Sequence, residues 1–366
     1  MTLARYVALR YITAVLRVFV IALILVFIFQ FIENIRKFLD DSGSLGPLIY
    51  LTMLQLPSSI ARMLPLVMLI SSLTLFIGLT RSSEMVVSRA AGVSALKMVF
   101  VPISIAVLLG VLATTVFNPI VAATTQQYDL LEDQITNTNS SILSISEDGL
   151  WLRQVVGDRQ SVIQARRSSP AGDVLFDVEF HVFDGSGTLA ERIVSKSAAL
   201  SENEWLLTDV KRWTVDANDV DIIGPIVKRA QDRLPTDLTV EQILNSFAPP
   251  QTIPFWDIPK FIERLETSGF SATRHRQYFH SALATPAVFV AMVLIGAGFT
   301  MRHARFGKRG LMVLLTVLAG FSLYSFNNVA ASLGAAGTVP VVLSAWAPSG
   351  AAILLVLGLL LHLEDG

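Results

Sequence analysis

The sequence predicts a membrane protein of mixed class: six transmembrane helices, three on either side of a β-domain outside the bilayer. Three observations predict it. The chain is 52% hydrophobic but only 16% charged, where soluble domains carry roughly a quarter charged residues. Its charges are segregated: residues 129–280 hold 23 of the 29 acids and 15 of the 28 basic residues, a balance of −8, while the remaining residues hold 6 and 13, a balance of +7. Finally, the middle of the chain alternates apolar and polar residues, whereas the flanks run without charge over stretches long enough to cross a bilayer.

The first span is read at 12–32. Residues 18–32 carry no charge, Tyr11–Leu16 extend the apolar run, and Arg17 snorkels to the interface. Phe31-Ile32-Glu33-Asn34 offers no small-residue cleavage pattern, so the span is expected to be a retained anchor. Charge-free runs at 63–80 and 98–128 give spans at 60–80 and 98–118, and 277–301 gives one at 281–301. The uncharged run 310–363 is too long for one crossing. Gly334-Ala335-Ala336-Gly337-Thr338-Val339-Pro340 breaks it into spans at 310–331 and 341–362.

Orientation follows from the Lys/Arg bias. With the N-terminus inside, one side collects Arg5, Arg10, Arg17, Arg81, Arg89, Lys97, Arg302, Arg305, Lys308 and Arg309 against Glu84, Glu364 and Asp365. The acidic insert then lies outside.

The insert, 129–255, reads as β. In Leu175–Phe183, Phe176, Val178, Phe180 and Val182 fall on one face and Asp177, Glu179 and His181 on the other. Further strands are expected at Ser141–Ser146, Leu150–Val155, Ser161–Ala165, Arg192–Ala198, Trp205–Val215 and Val220–Val227. Asp148-Gly149, Gly157-Asp158 and Asp184-Gly185-Ser186-Gly187 supply turns. This many short strands suggests a sandwich or jelly roll. Trp256–Thr267 has Ile258, Phe261, Ile262 and Leu265 at helical spacing, a connecting helix that opens the last segment, 256–366.

Chemistry is sparse. The chain has no cysteine, which excludes disulfides, thiolate metal sites and cysteine nucleophiles. Phe306-Gly307-Lys308-Arg309 lacks the upstream glycine and the Ser/Thr of a phosphate loop, and no histidine pair has zinc-helix spacing. No acidic residue sits mid-span, which argues against an ion-driven transporter. The most informative segment is the inner loop after the second span. Ser82 or Ser83 caps a short helix, Glu84 occupies its first turn, and Gly92 stops it. Its small residues suit docking into a soluble partner better than lying on lipid, which wants Trp, Phe and Leu.

This arrangement, with Ser83-Glu84-Met85-Val86-Val87-Ser88-Arg89-Ala90-Ala91-Gly92-Val93 after the second span, resembles the permease halves of the lipopolysaccharide export ABC transporter, the LptF/LptG family of Gram-negative inner membranes. The resemblance covers essentially the whole chain, and 82–93 is its most specific motif. Phe255-Trp256-Asp257-Ile258-Pro259, Ser268-Gly269-Phe270-Ser271-Ala272-Thr273-Arg274-His275, Ala345-Trp346-Ala347-Pro348 and the terminal Glu364-Asp365-Gly366 look closer to the LptG branch.

The resemblance implies a half-transporter within 1–128 and 256–366, with N- and C-termini cytoplasmic, and a periplasmic β-jelly roll at 129–255. A companion LptF-like half would enclose a cavity for lipopolysaccharide with it, lined by the first, second and fifth spans. An ABC ATPase dimer would dock on the coupling helix 82–93 through Ser83, Glu84, Met85, Val86, Arg89, Ala90 and Gly92, with Glu84 meeting a basic residue of the ATPase. The insert would pass lipid to a membrane-anchored, LptC-like periplasmic jelly-roll protein. Family members can carry a lysine near the outer end of the first span, where Gln30 stands here. Arg36, Lys37 and Arg62 are then further candidates for the lipid head group, since cations pair with its phosphates. No catalytic residue, metal, cofactor or nucleic acid is implied. The alternative is a membrane-anchored periplasmic assembly or receptor protein whose spans only anchor it.

Overall fold

The computed structural model describes the whole chain except residues 1–2, 43, 93, 137–143, 147–148, 157–158, 170–171, 186, 202, 215–225, 240–248, 301–308 and 366. It divides into two compact units. One comprises 1–137, 251–256 and 273–366, and the other 138–250 and 257–272.

The first unit is helical. In chain order it contains α1 (Leu3–Ser42), α2 (Leu45–Arg81), α3 (Glu84–Ala90), α4 (Ala95–Leu112), α5 (Asn118–Thr136), α7 (Thr273–Thr300), α8 (Arg309–Ala335) and α9 (Val341–Asp365). Five π-helical residues, Ala113–Phe117, join α4 to α5 in one rod. Among the described residues, six helices are long and apolar enough to cross a membrane, counting that rod as one. The α8–α9 hairpin turns where the glycines predict, with Gly337 at φ +75° and Thr338 N–H donating to Leu333 O at 3.1 Å.

The spans are not equally buried. Of the most apolar stretch of each, 56% is buried in α7 and 50% in α2, against 6% in α1 and 17% in α8. Helices in lipid gain little by burying apolar surface, so close packing must hold them together, and small residues permit it. A methyl group on Gly296 of α7 would overlap Ser72 of α2, and one on Gly110 of α4 would overlap the backbone of Pro286 in α7. Around these crossings Phe76, Phe289, Met292 and Leu294 form the bundle core. Polar ties add to it: Ser344 Oγ donates to Gln277 Oε1 at 2.6 Å, linking α9 to α7.

The second unit is a seven-stranded antiparallel sheet in sequential order: β1 (Ser144–Ser146), β2 (Gly149–Val156), β3 (Arg159–Ser168), β4 (Val174–Phe183), β5 (Leu189–Ser201), β6 (Glu204–Thr214) and β7 (Val227–Pro235). Six of the strands fall where alternation predicts. Residues 141–143 and 220–225 of the expected strands lie outside the described residues, as do Asp148, Gly157, Asp158 and Ser186 of the expected turns. β7 lies beyond the last expected strand, its charged sequence giving no alternation.

The expected single face of Leu175–Phe183 is corrected. Val178, Phe180 and Val182 point inward, but Phe176 points out and Leu175 points in. The cause is a crease. Asp177 and Asp209 adopt the left-handed conformation (φ +53° and +54°), which Asp tolerates better than most residues. In β3, β4, β5 and β6 two successive residues turn away from the core at the same level: 166/167, 176/177, 196/197 and 208/209. Register is unchanged across it, with Ala165↔Val178 on one side and Arg167↔Phe176 on the other.

The crease folds the sheet onto itself. Gln154 of β2 and Trp205 of β6 are four strand positions apart, about 19 Å in a flat sheet, and lie on opposite sides of the crease. Yet Trp205 Nε1 donates to Gln154 Oε1 at 3.3 Å, and Thr236 Oγ1 donates to the same oxygen at 2.6 Å. The result is a jelly-roll-like insert with Trp205, Phe180, Ile163 and Ile193 inside. α6 (Ile258–Thr267) belongs to this unit, adding Leu265 to the same core with Phe261 and Ile262 against it.

Candidate functional site

Two places gather the residues singled out from sequence. The first is the loop between α2 and α4. α2 ends at Arg81, Ser83 takes φ +56°, and α3 runs seven residues before Gly92 at φ +82° reverses the chain. Ser94 then caps α4, its Oγ accepting from Lys97 N–H at 3.3 Å.

α3 has an anchored side and a bare side. Met85, expected on the docking face, is instead only 5% exposed and packs in the bundle core with Val7, Tyr11 and Met98. A long apolar side chain in the first turn is drawn into the packed interior rather than left in water. Ser83, Ala90 and Gly92 are exposed. So is Val87, at 67%, which sequence reasoning passed over although it sits three residues before Ala90 on the same face of α3. The side chains of Val86 and Arg89 lie outside what the structure describes.

Glu84 is held by α1. Arg10 Nη1 donates to both its carboxylate oxygens at 3.0 Å, and Tyr6 Oη donates to Oε1 at 3.2 Å. Arg10 Nη1 also donates to Tyr6 Oη at 2.7 Å. Burial by itself would push the Glu84 carboxyl up. The hydrogen bonds from Ser82, Arg10 and Tyr6 and the charge of Arg10 outweigh it and hold the carboxyl below its ordinary range.

The second place is where the C-terminal part of α1 meets the N-terminal half of α2. Asn34 Nδ2 donates to Thr52 Oγ1 at 2.9 Å, in a buried bond. One turn below, Gln30 Nε2 and Arg62 Nη2 both donate to Ser59 Oγ, the latter at 3.1 Å. The four head-group candidates therefore separate. Arg36 and Lys37 pair with Glu33 on their own helix, at 3.0 and 3.9 Å, and stand exposed. Gln30 and Arg62 converge on Ser59. Arg62 has no carboxylate partner among the described residues, and it lines a cavity of about 380 Å³. Tyr324, Asn327 and Asn328 face the same cavity, one face of α8 at i, i+3 and i+4. The π-helical segment lines it too, through Ala113, Thr114 and Phe117; there Thr114 Oγ1 donates to Ala282 O at 2.8 Å and Trp256 Nε1 donates to Thr115 O at 3.1 Å.

Residues 5–362 match the family described as lipopolysaccharide export system permease LptF/LptG. The chain belongs to the LptF/LptG family. It is 23% identical to the lipopolysaccharide export system permease protein LptG of Haemophilus influenzae, over all of this chain and 99% of that protein. It is 22% identical to the protein of the same name from Escherichia coli K12, over 98% of each. Within the LptF/LptG family the likeness is thus to LptG. Family and six apolar helices together make this a multi-pass inner-membrane protein and a transport subunit.

Proposed function

We propose that this chain is the LptG-like half of an ABC exporter that extracts lipopolysaccharide from the outer leaflet of the inner membrane. Its termini lie in the cytoplasm, as the Lys/Arg bias requires, and its insert lies in the periplasm. A separate ATPase dimer docks on α3, a companion half pairs with it, and the insert passes lipid to a membrane-anchored jelly-roll protein.

One observation carries the reading beyond family membership: α3 is fixed to the bundle by Met85 and Glu84 while Ser83, Val87, Ala90 and Gly92 stand bare. A short helix anchored on one side and unfilled on the other suits a groove in a soluble partner. The sparse burial of α1 and α8 leaves two apolar faces for the companion half. Arg62, with Tyr324, Asn327 and Asn328, supplies a cation and neutral hydrogen-bonding groups around one cavity, a set suited to a phosphorylated sugar. Arg36 and Lys37, already paired with Glu33, are secondary.

The test is reconstitution with the companion half and the ATPase in nanodiscs. Val87→Asp and Ala90→Asp, on the bare side of α3, are expected to weaken ATPase retention or lipid-stimulated hydrolysis by about ten-fold. Full retention and full activity in both variants would remove α3 from the docking role. Arg62→Glu is expected to lower photo-crosslinking of lipopolysaccharide more than charge reversal at Arg36 and Lys37 does. A chain that purifies alone, without lipid, favours the anchor or receptor alternative.

A further inference from the structure

α1 differs from every other span in its sequence. From Leu3 to Ser42 it contains neither glycine nor proline. α2 carries Pro57 and Pro65, α4 Pro102, α7 Pro286, α8 Gly320 and α9 Pro348. Proline and glycine are where helices kink, so α1 is the stiffest rod in the bundle. It is also the least buried.

Two of its polar attachments sit at widely separated levels, and a third, Asn34 to Thr52, lies one turn beyond the second. At one, Arg10 grips both oxygens of Glu84 on α3, supported by Tyr6. Gly78 of α2 lies against the guanidinium, where a side chain would stand 3.0 Å from Nη2, so the absence of a Cβ there leaves room for the arginine. At the other, Gln30 donates to Ser59 Oγ, which also accepts from Arg62. Arg10 and Gln30 are 20 residues apart, about 30 Å along a helix, which is the thickness of the hydrocarbon core.

We infer that α1 is the rigid element through which movement of the docking helix reaches the cavity at Arg62, and that Arg10 is the positioning residue that fastens α3 to it. This rests on the reading of α3 as the ATPase docking helix. In the resulting path, a displacement of α3 is passed to α1 through the Arg10–Glu84 pair. An unbroken rod carries it across the membrane, and it arrives at Ser59 and Arg62.

Four variants and one distance test the path, using the full chain with its companion half and ATPase in nanodiscs. Ala22→Pro leaves both attachments in place and puts a kink between them. It is expected to hydrolyse ATP at the parent rate while releasing about one-tenth as much lipopolysaccharide per ATP. Arg10→Ala is expected to show a similar fall in lipid per ATP, Arg10→Lys a smaller one, and the Arg10→Ala/Ala22→Pro double variant no more than either single change. Parent yields of lipid per ATP in Ala22→Pro overturn the rod. Loss of the ATPase from the Arg10→Ala complex overturns the positioning role, because Arg10 would then belong to the docking surface. The chain has no cysteine, so Leu9→Cys and Ala91→Cys, both at exposed positions, accept spin labels without background. Their separation is expected to stay the same when nucleotide is trapped, and a change of several ångströms overturns the fastening even if every variant misfolds. Failure of the docking reading looks different: Val87→Asp and Ala90→Asp complexes then keep the ATPase and full activity.

Discussion

α7 and α1 are both apolar helices long enough to span a bilayer, yet they are built for opposite purposes. α7 is buried over most of its apolar stretch, accepts Pro286, and meets α2 at its own Gly296 and α4 at that helix's Gly110. α1 keeps leucine, isoleucine and phenylalanine on an open face and packs its other side on its neighbours through Val7, Tyr11 and Phe38, with a few polar bonds beside them. In lipid, where apolar burial is not the driving force, central and rim helices are told apart by packing geometry rather than by hydropathy. The bundle has a fixed centre and a bare rim.

Substitutions can break or sharpen that contrast. The largest effect is expected from Gly296→Leu, which drives a side chain into Ser72; overpacking of this kind costs up to about 3 kcal/mol, read as lost monodisperse protein and earlier unfolding in detergent titration. Asn34→Ala removes the buried bond to Thr52 and should cost about 1 kcal/mol in the same titration. Phe29→Ala, at a position 72% exposed on α1, should change fold stability by less than about 0.5 kcal/mol. A large loss there would mean that α1 belongs to the fixed centre. The smallest effect is one of pH. The Glu84 carboxyl is held below its ordinary range, so its contribution is present above the unfolded carboxylate range and is lost as pH falls through the depressed folded value. A spin label at Val87 should stay ordered at neutral pH and gain mobility only in that acid range.

Much of this architecture is legible in the sequence because the bilayer imposes a coarse rule. A crossing helix must be apolar over about 20 residues, and charge-free runs mark each one. The strands show through because period two survives wherever one face is buried. What stays hidden depends on neighbours distant in sequence. The outward turn of Phe176 follows from a step shared by four strands. The partner of Glu84 lies on α1, 74 residues away. Met85 reads as one more residue of the docking segment until the core that receives it is assembled from α1 and α4. Arg62 stands apart from Arg36 and Lys37 only because Glu33 lies within reach of the latter two.

The crease in the insert also limits how this domain can change in length. Each of four strands makes its extra step at the same level, so pairing resumes beyond it in the old register. Deleting Lys196 alone would shift one half of β5 by a residue against β4 and β6, and a one-residue slip exchanges the two faces of a strand. Ile193 would then face solvent and Arg192 the core. Single-residue insertions and deletions are therefore confined to the loops, and the interior of this sheet can gain or lose length only when neighbouring strands do so together.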